Sequence, residues 1–180
     1  MRLKRAALRP LPQAFLVLSQ LERRHIDWLA GLPATAVYKD DVFLCHGTPR
    51  SDTAYWLERV RPDATVEATP IEAVEREADG IDCSLILCGH THIPRLVWLR
   101  DGRLVVNAGS VGCPGYRWDM PVDHVMQAGT PDACYAILER APAGWSVTFR
   151  FVPYDCASMA ALAERNGWPD WARALATGWL

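Results

Sequence analysis

Three histidines stand where this sequence could do chemistry. His90 and His92 are two apart in Gly89-His90-Thr91-His92, directly after the apolar run Leu85-Ile86-Leu87-Cys88, and His46 follows a similar run, Val42-Phe43-Leu44-Cys45, with Gly47 behind it. A short apolar run bounded by glycine predicts a buried strand. On an extended backbone, residues two apart point to the same side, so His90 and His92 are expected to face one pocket, with Gly89 allowing a tight turn before them. Open α/β sheets place ligand sites outside the carboxyl ends of their strands, and neutral imidazole is the commonest side-chain metal ligand. His46, His90 and His92 are therefore the candidate metal ligands. The competing readings are a simple His-Gly turn at His46 and a surface or pH-sensitive pair at His90 and His92.

The order of the motifs carries further than any one of them. His46-Gly47-Thr48-Pro49, Gly89-His90-Thr91-His92 and Asn107-Ala108-Gly109-Ser110, in that order, resemble the later motifs of the calcineurin-like metallophosphoesterase superfamily. The match is best with its small bacterial, phosphodiesterase-like branch and runs from about Ser19 to the C-terminus. The resemblance implies an α/β fold, a layered β-sandwich flanked by helices. It also implies a hydrolase acting on phosphodiester or small phosphomonoester substrates through water activated by two divalent metal ions (Mn, Fe, Ni or Zn). Carried over residue by residue, His46 and His90 would bind one metal and His92 the other. Asn107 and Ser110 would close the loop beside the site, and Arg50 and Asn107 are the candidate substrate-binding residues, since guanidinium matches phosphate geometry.

The family's Asp-x-His, Gly-Asp and Gly-Asn-His motifs, which supply the bridging carboxylate and the catalytic His, are not found in this sequence. No catalytic residue is therefore assigned. The chain is expected to be the C-terminal portion of such an enzyme, with weak or partial metal occupancy. Two alternatives remain open: a non-catalytic remnant or interaction protein that keeps the fold, and a mononuclear three-histidine zinc hydrolase.

Composition narrows the partners. At 180 residues, with half of them hydrophobic and 22% charged, the chain has the make-up of a globular domain. A formal net charge of −2 makes no electrostatic case for nucleic acid or an anionic membrane as the main partner; a small phosphorylated substrate is what the resemblance implies. The six cysteines are dispersed and contain no Cys-x-x-Cys, so free thiols in a cytoplasmic protein are expected, and neither a disulfide framework nor a zinc ribbon. No stretch has the roughly 18 apolar residues of a membrane span. Eight tryptophans and a sheet edge left open by the missing early motifs predict a tendency to associate, as a homo-oligomer or an aggregate.

The elements that must position these residues can be read in order. Residues 1–18 are expected to be a poorly ordered or misassigned start, with 19–180 forming a partial metallophosphoesterase-like domain. Ser19-Gln20-Leu21-Glu22 has the form of a capping box opening a helix, with Leu21, His25, Trp28, Leu29 and Leu32 along one face. Residues 35–38 and 42–45 predict a hairpin around Lys39-Asp40. Residues 55–60 read as helical, and Thr69-Pro70-Ile71-Glu72 opens a further helix ending near Gly80. Asp101-Gly102 joins two strands in a hairpin. Residues 112–131 read as a long loop lining the pocket, with His124 as a possible further ligand. A last hairpin spans 133–151, and Asp155 and Pro169 open the two final helices.

Overall fold

The computed structural model describes residues 17–180. The chain divides at Pro33/Ala34 into two units, each described separately. The expectation of a poorly ordered start falls almost wholly on residues 1–16, outside the described residues.

The first unit carries helix α1, Arg23–Ala30. Its N-cap is Glu22, three residues beyond the cap expected at Ser19, because the His25 imidazole Nδ1 accepts from the Glu22 backbone N–H at 3.2 Å and closes the box there. Trp28, Leu29 and Leu32 are exposed.

The second unit is built on a five-stranded mixed sheet. Its strands are β1 (Ala36–Tyr38), β2 (Val42–Leu44), β5 (Leu85–Cys88), β6 (Arg95–Trp98) and β7 (Leu104–Asn107), in the order β1-β2-β5-β7-β6. The central three, β2, β5 and β7, run parallel, and β1 and β6 flank them antiparallel. The β1–β2 loop has three residues, Lys39 to Asp41, since Tyr38 pairs with Val42. Lys39 and Asp40 are both at positive φ (49° and 58°), and the Asp41 N–H donates to the Tyr38 carbonyl at 3.3 Å.

Both faces of the central strands are covered, which is why they read as unbroken apolar runs. On one face Ile86, Cys88 and Val105 pack with Trp56, Leu57, Leu99 and two residues of the α2 region, Val74 and Ala78. Helix α2 is Ile71–Glu77. On the other face Leu85, Leu104 and Val106 meet Ala136, Leu138, Trp145, Val147 and Phe149. These come from a long hairpin of β10 (Ala133–Ala141) and β11 (Gly144–Val152). Period-2 alternation along each strand thus sends successive residues to opposite cores. Helices α3 (Cys156–Arg165) and α4 (Pro169–Thr177) pack on each other through Ala160, Ala163, Ala172 and Leu175. Asp155 caps α3 by accepting from the Ser158 N–H at 3.1 Å.

Two expectations are corrected. Residues 55–60 are not helical: β3 (Glu58–Val60) pairs with β4 (Val66–Ala68). Trp56, Leu57 and Glu58 are all buried in succession, a demand that no single helix face meets. The segment 112–131 is not an irregular loop either, for it holds a hairpin of β8 (Gly115–Trp118) and β9 (His124–Gln127). Its glycines and prolines concealed two four-residue strands.

All six cysteines are free thiols. Burial pushes the Cys45 thiol up to about 12 and holds Cys88 well above its ordinary value. Thiolate is the reactive form, so Cys45 and Cys88 should resist alkylation at pH 8 in the native protein, whereas all six should label in denaturant without reductant. Fewer than six labelled thiols in denaturant would contradict the structure. Among the described residues no helix is long and apolar enough to cross a membrane.

Candidate metal centre

The parallel strands β2, β5 and β7 end at one edge of the sheet, and the segments that leave them there carry His46, His90 with His92, and Asn107. The loops are tied directly: Gly89 N–H donates to the His46 carbonyl at 2.7 Å. Gly47 is required by close approach, since a Cβ there would lie 2.5 Å from the Ala54 carbonyl oxygen and 2.8 Å from that of Ser51.

His90 and His92 do not lie on an extended strand, as their spacing first implies. Both adopt left-handed backbone, φ 68° and 63°, beyond the end of β5 at Cys88. A non-glycine residue in this region costs about 1 kcal/mol, and two within three residues persist only where the surroundings hold them. Asn107 supplies much of that hold. It is buried; its Nδ2 donates to the Gly89 carbonyl (2.8 Å) and to Thr91 Oγ1 (2.9 Å), and its Oδ1 accepts from the Gly109 N–H (3.0 Å). Asn107→Ala should therefore cost about 2–4 kcal/mol in urea denaturation, since each orphaned buried partner costs about 1–3 kcal/mol. A loss under about 0.5 kcal/mol, the scale of a neutral surface change, would contradict this role.

The imidazoles are set by their second nitrogens. His92 Nδ1 lies 2.8 Å from the Cys113 carbonyl and His90 Nε2 3.2 Å from that of Thr53. A carbonyl only accepts, so each of these nitrogens carries the proton, leaving His92 Nε2 and His90 Nδ1 with free lone pairs. The His46 and His90 ring centroids are 5.1 Å apart. Burial, reinforced by the nearby His46, holds His90 below its ordinary value. Burial does the same for His92, against the opposing bond to Cys113. Both are neutral at pH 7, the state a ligand needs.

Two tyrosines complete the wall. Tyr116 donates to the His90 carbonyl at 3.0 Å and meets the His92 ring edge-on at 5.3 Å. The Tyr55 ring lies 5.1 Å from His90, and its hydroxyl is 2.9 Å from His124 Nε2. His124 is buried and donates from Nδ1 to the Val122 carbonyl at 2.7 Å, so its Nε2 is the acceptor for Tyr55. With both nitrogens engaged, His124 holds Tyr55 and does not join the three ligand candidates. Sequence reasoning placed Tyr55 as helix packing and Tyr116 only on a pocket-lining loop; the signal available was their place just after the His46 and Ser110 turns.

Arg50 points elsewhere. Its Nη1 donates to the carbonyls of Arg76 (3.2 Å) and Glu77 (2.8 Å), and its Nη2 to that of Asp79 (3.3 Å). Those carbonyls are the C-terminal end of α2, where a cation is favoured. A phosphoryl oxygen would have to compete with these acceptors for the guanidinium.

The donor set decides what metal could sit here. No carboxylate accompanies the three imidazoles; Asp52, whose charge reaches His90, is exposed. Among the described residues no group of three or more His, Cys, Asp or Glu side chains is arranged to hold a metal ion. Three neutral ligands cannot balance two dications, and hard ions such as Mn²⁺ favour carboxylate oxygen. These residues do not fit a two-metal centre.

No family model matches the sequence, and no curated protein matches it. Among solved structures the chain is similar to a metallophosphoesterase from Sphaerobacter thermophilus, with 24% identity over 99% of this chain and 72% of that one, at a TM-score of 0.67. It is also similar to a hypothetical protein from Pyrococcus horikoshii OT3, with 20% identity over 84% of this chain and a TM-score of 0.59. This chain spans 53% of the length of that second protein. The chain has the metallophosphoesterase fold, in agreement with the resemblance of its motifs.

Proposed function

We propose that this chain provides the histidine side of a metal-dependent phosphoesterase site acting on phosphodiesters or small phosphomonoesters. The observation that carries the reading is the convergence of His46, His90 and His92 at the carboxyl edge of a metallophosphoesterase-fold sheet, with His90 and His92 held neutral and in left-handed backbone. Strain of that kind gathers at functional sites. His92 Nε2 and His90 Nδ1 are the lone pairs offered to a metal, and Asn107 and Tyr116 fix the loop that presents them. The free thiols support a reducing, cytoplasmic setting.

A second reading is favoured by the donor set itself. By donor type, three imidazoles with no carboxylate suit a mononuclear zinc site with one open position better than a manganese pair. They would have to draw together on binding, since among the described residues they are not arranged around one ion. Hydrolysis of bis(4-nitrophenyl) phosphate separates the readings, with Zn²⁺ or Mn²⁺ added in turn. Release above the metal-only background is expected, and it should disappear with chelator. Stimulation by Zn²⁺ alone would favour the mononuclear site. Release equal to background with every metal would refute the hydrolase reading and leave a non-catalytic interaction protein.

A further inference from the structure

A second recess lies beyond Tyr55 and His124. Its volume is about 600 Å³, and its walls include Val66, Ile93, Val125 and Trp179, with Glu58 and Arg95 at its base. That volume falls in the range of small-molecule sites. His124 lines it and is hydrogen-bonded to Tyr55, whose ring lies 5.1 Å from His90.

Glu58 is the unusual group. It is 1% exposed, its Oε1 accepts from Arg95 Nε at 2.6 Å, and its Oε2 has no hydrogen-bond partner. A buried carboxylate oxygen without a donor costs several kcal/mol, and native structures rarely leave one so. Glu58 lines the recess, and because the last torsion of a glutamate is broad, rotation about it is what would present Oε2 to an occupant. Every charged group around it is already matched. Arg95 pairs with Glu58, Arg117 with Asp123 at 2.9 Å, and Arg59 with Glu67 at 2.7 Å. An occupant therefore needs to bring a donor but no net charge. Val66, Ile93, Val125 and the Trp179 indole offer a face for a flat ring, while Glu67, Arg117, Asp123 and Gln127 supply polar partners for a hydroxyl-bearing group beside it.

We propose that this recess binds a neutral, flat heterocycle with an exocyclic amino group, whose N–H pairs with the free oxygen of Glu58. Adenosine and purine riboside are the probes: they differ only in the exocyclic amino group, which purine riboside lacks. Neither carries phosphate, and chelator is kept present, so the result is independent of the histidine site. Calorimetric titration of the native protein should favour adenosine by at least about tenfold, because without the amino donor the Glu58 oxygen is left buried and unpartnered. In Glu58→Gln the side-chain oxygen stays with Arg95 and the NH₂ faces the recess, so the preference should fall to parity or reverse. Val125→Phe, which fills the cavity from β9 and leaves the Glu58–Arg95 pair intact, should abolish adenosine binding. It serves as a second test if Glu58→Gln does not fold. No adenosine binding by the native protein, equal affinity for the two nucleosides, or binding that survives Val125→Phe would overturn the proposal and leave a water-filled recess.

Discussion

Replacing His90 by glycine should weaken zinc binding by at least about a hundredfold, since even the outer partners of metal ligands are worth about 10–100-fold, while leaving stability within about 1 kcal/mol of the native protein. The two effects separate because His90 holds a backbone conformation, φ 68°, that glycine adopts freely. Releasing that strain returns about 1 kcal/mol. Losing the Nε2 bond to the Thr53 carbonyl costs about the same, roughly 0.5–1.5 kcal/mol. Competition with a chromophoric chelator reads the affinity, and urea denaturation reads the stability. A stability loss as large as that expected for Asn107→Ala would mean that His90 serves packing, and unchanged zinc affinity would mean that it is not a ligand.

Arg95→Ala should cost about 3 kcal/mol of stability. Removing one partner of a buried ion pair leaves an uncompensated charge, which costs about 3–5 kcal/mol. Glu58 is fully buried, but Arg95 is 34% exposed, so solvent screening brings the value to the lower end. The pair Glu58→Leu with Arg95→Met should recover most of the loss, because a well-packed apolar replacement of a buried pair is often neutral or better. A loss below about 1 kcal/mol for Arg95→Ala, the scale of an exposed pair, would show that water reaches Glu58 freely.

The core was legible because its signal is local. Val42 to Leu44, Leu85 to Cys88 and Leu104 to Val106 are apolar throughout, and strands covered on both faces have to be. The Asp101-Gly102 and Lys39-Asp40 turns were readable from the local sequence, as were the cap at Asp155 and the helix start at Pro169. What misled was segments whose burial is set from elsewhere. Glu58 is a charged residue in a strand whose counter-ion lies 37 positions away, and nothing in residues 55–60 announces it. The hairpin of β8 and β9 is four residues per strand, too short for period 2 to stand out among glycines and prolines.

At the candidate site, the sequence places His46, His90 and His92 at the carboxyl ends of β2 and β5, where they lie, but His90 and His92 are not on an extended strand. They face the site from a left-handed loop braced by Asn107, a long-range arrangement that i, i+2 spacing cannot encode. Arg50 illustrates the same limit. A loop arginine beside a candidate phosphate site resembles a phosphate ligand until the carbonyls of α2 are seen to occupy it.

The most direct measurement is zinc stoichiometry on the purified chain, by elemental analysis after desalting, for the native protein and for His46→Ala, His90→Ala and His92→Ala. The account predicts bound zinc, not above one ion per chain, with each substitution releasing it and the unfolding transition retained. Absence of zinc from the native protein at saturating metal, or zinc retained through all three substitutions, would contradict the claim that these imidazoles form a metal site.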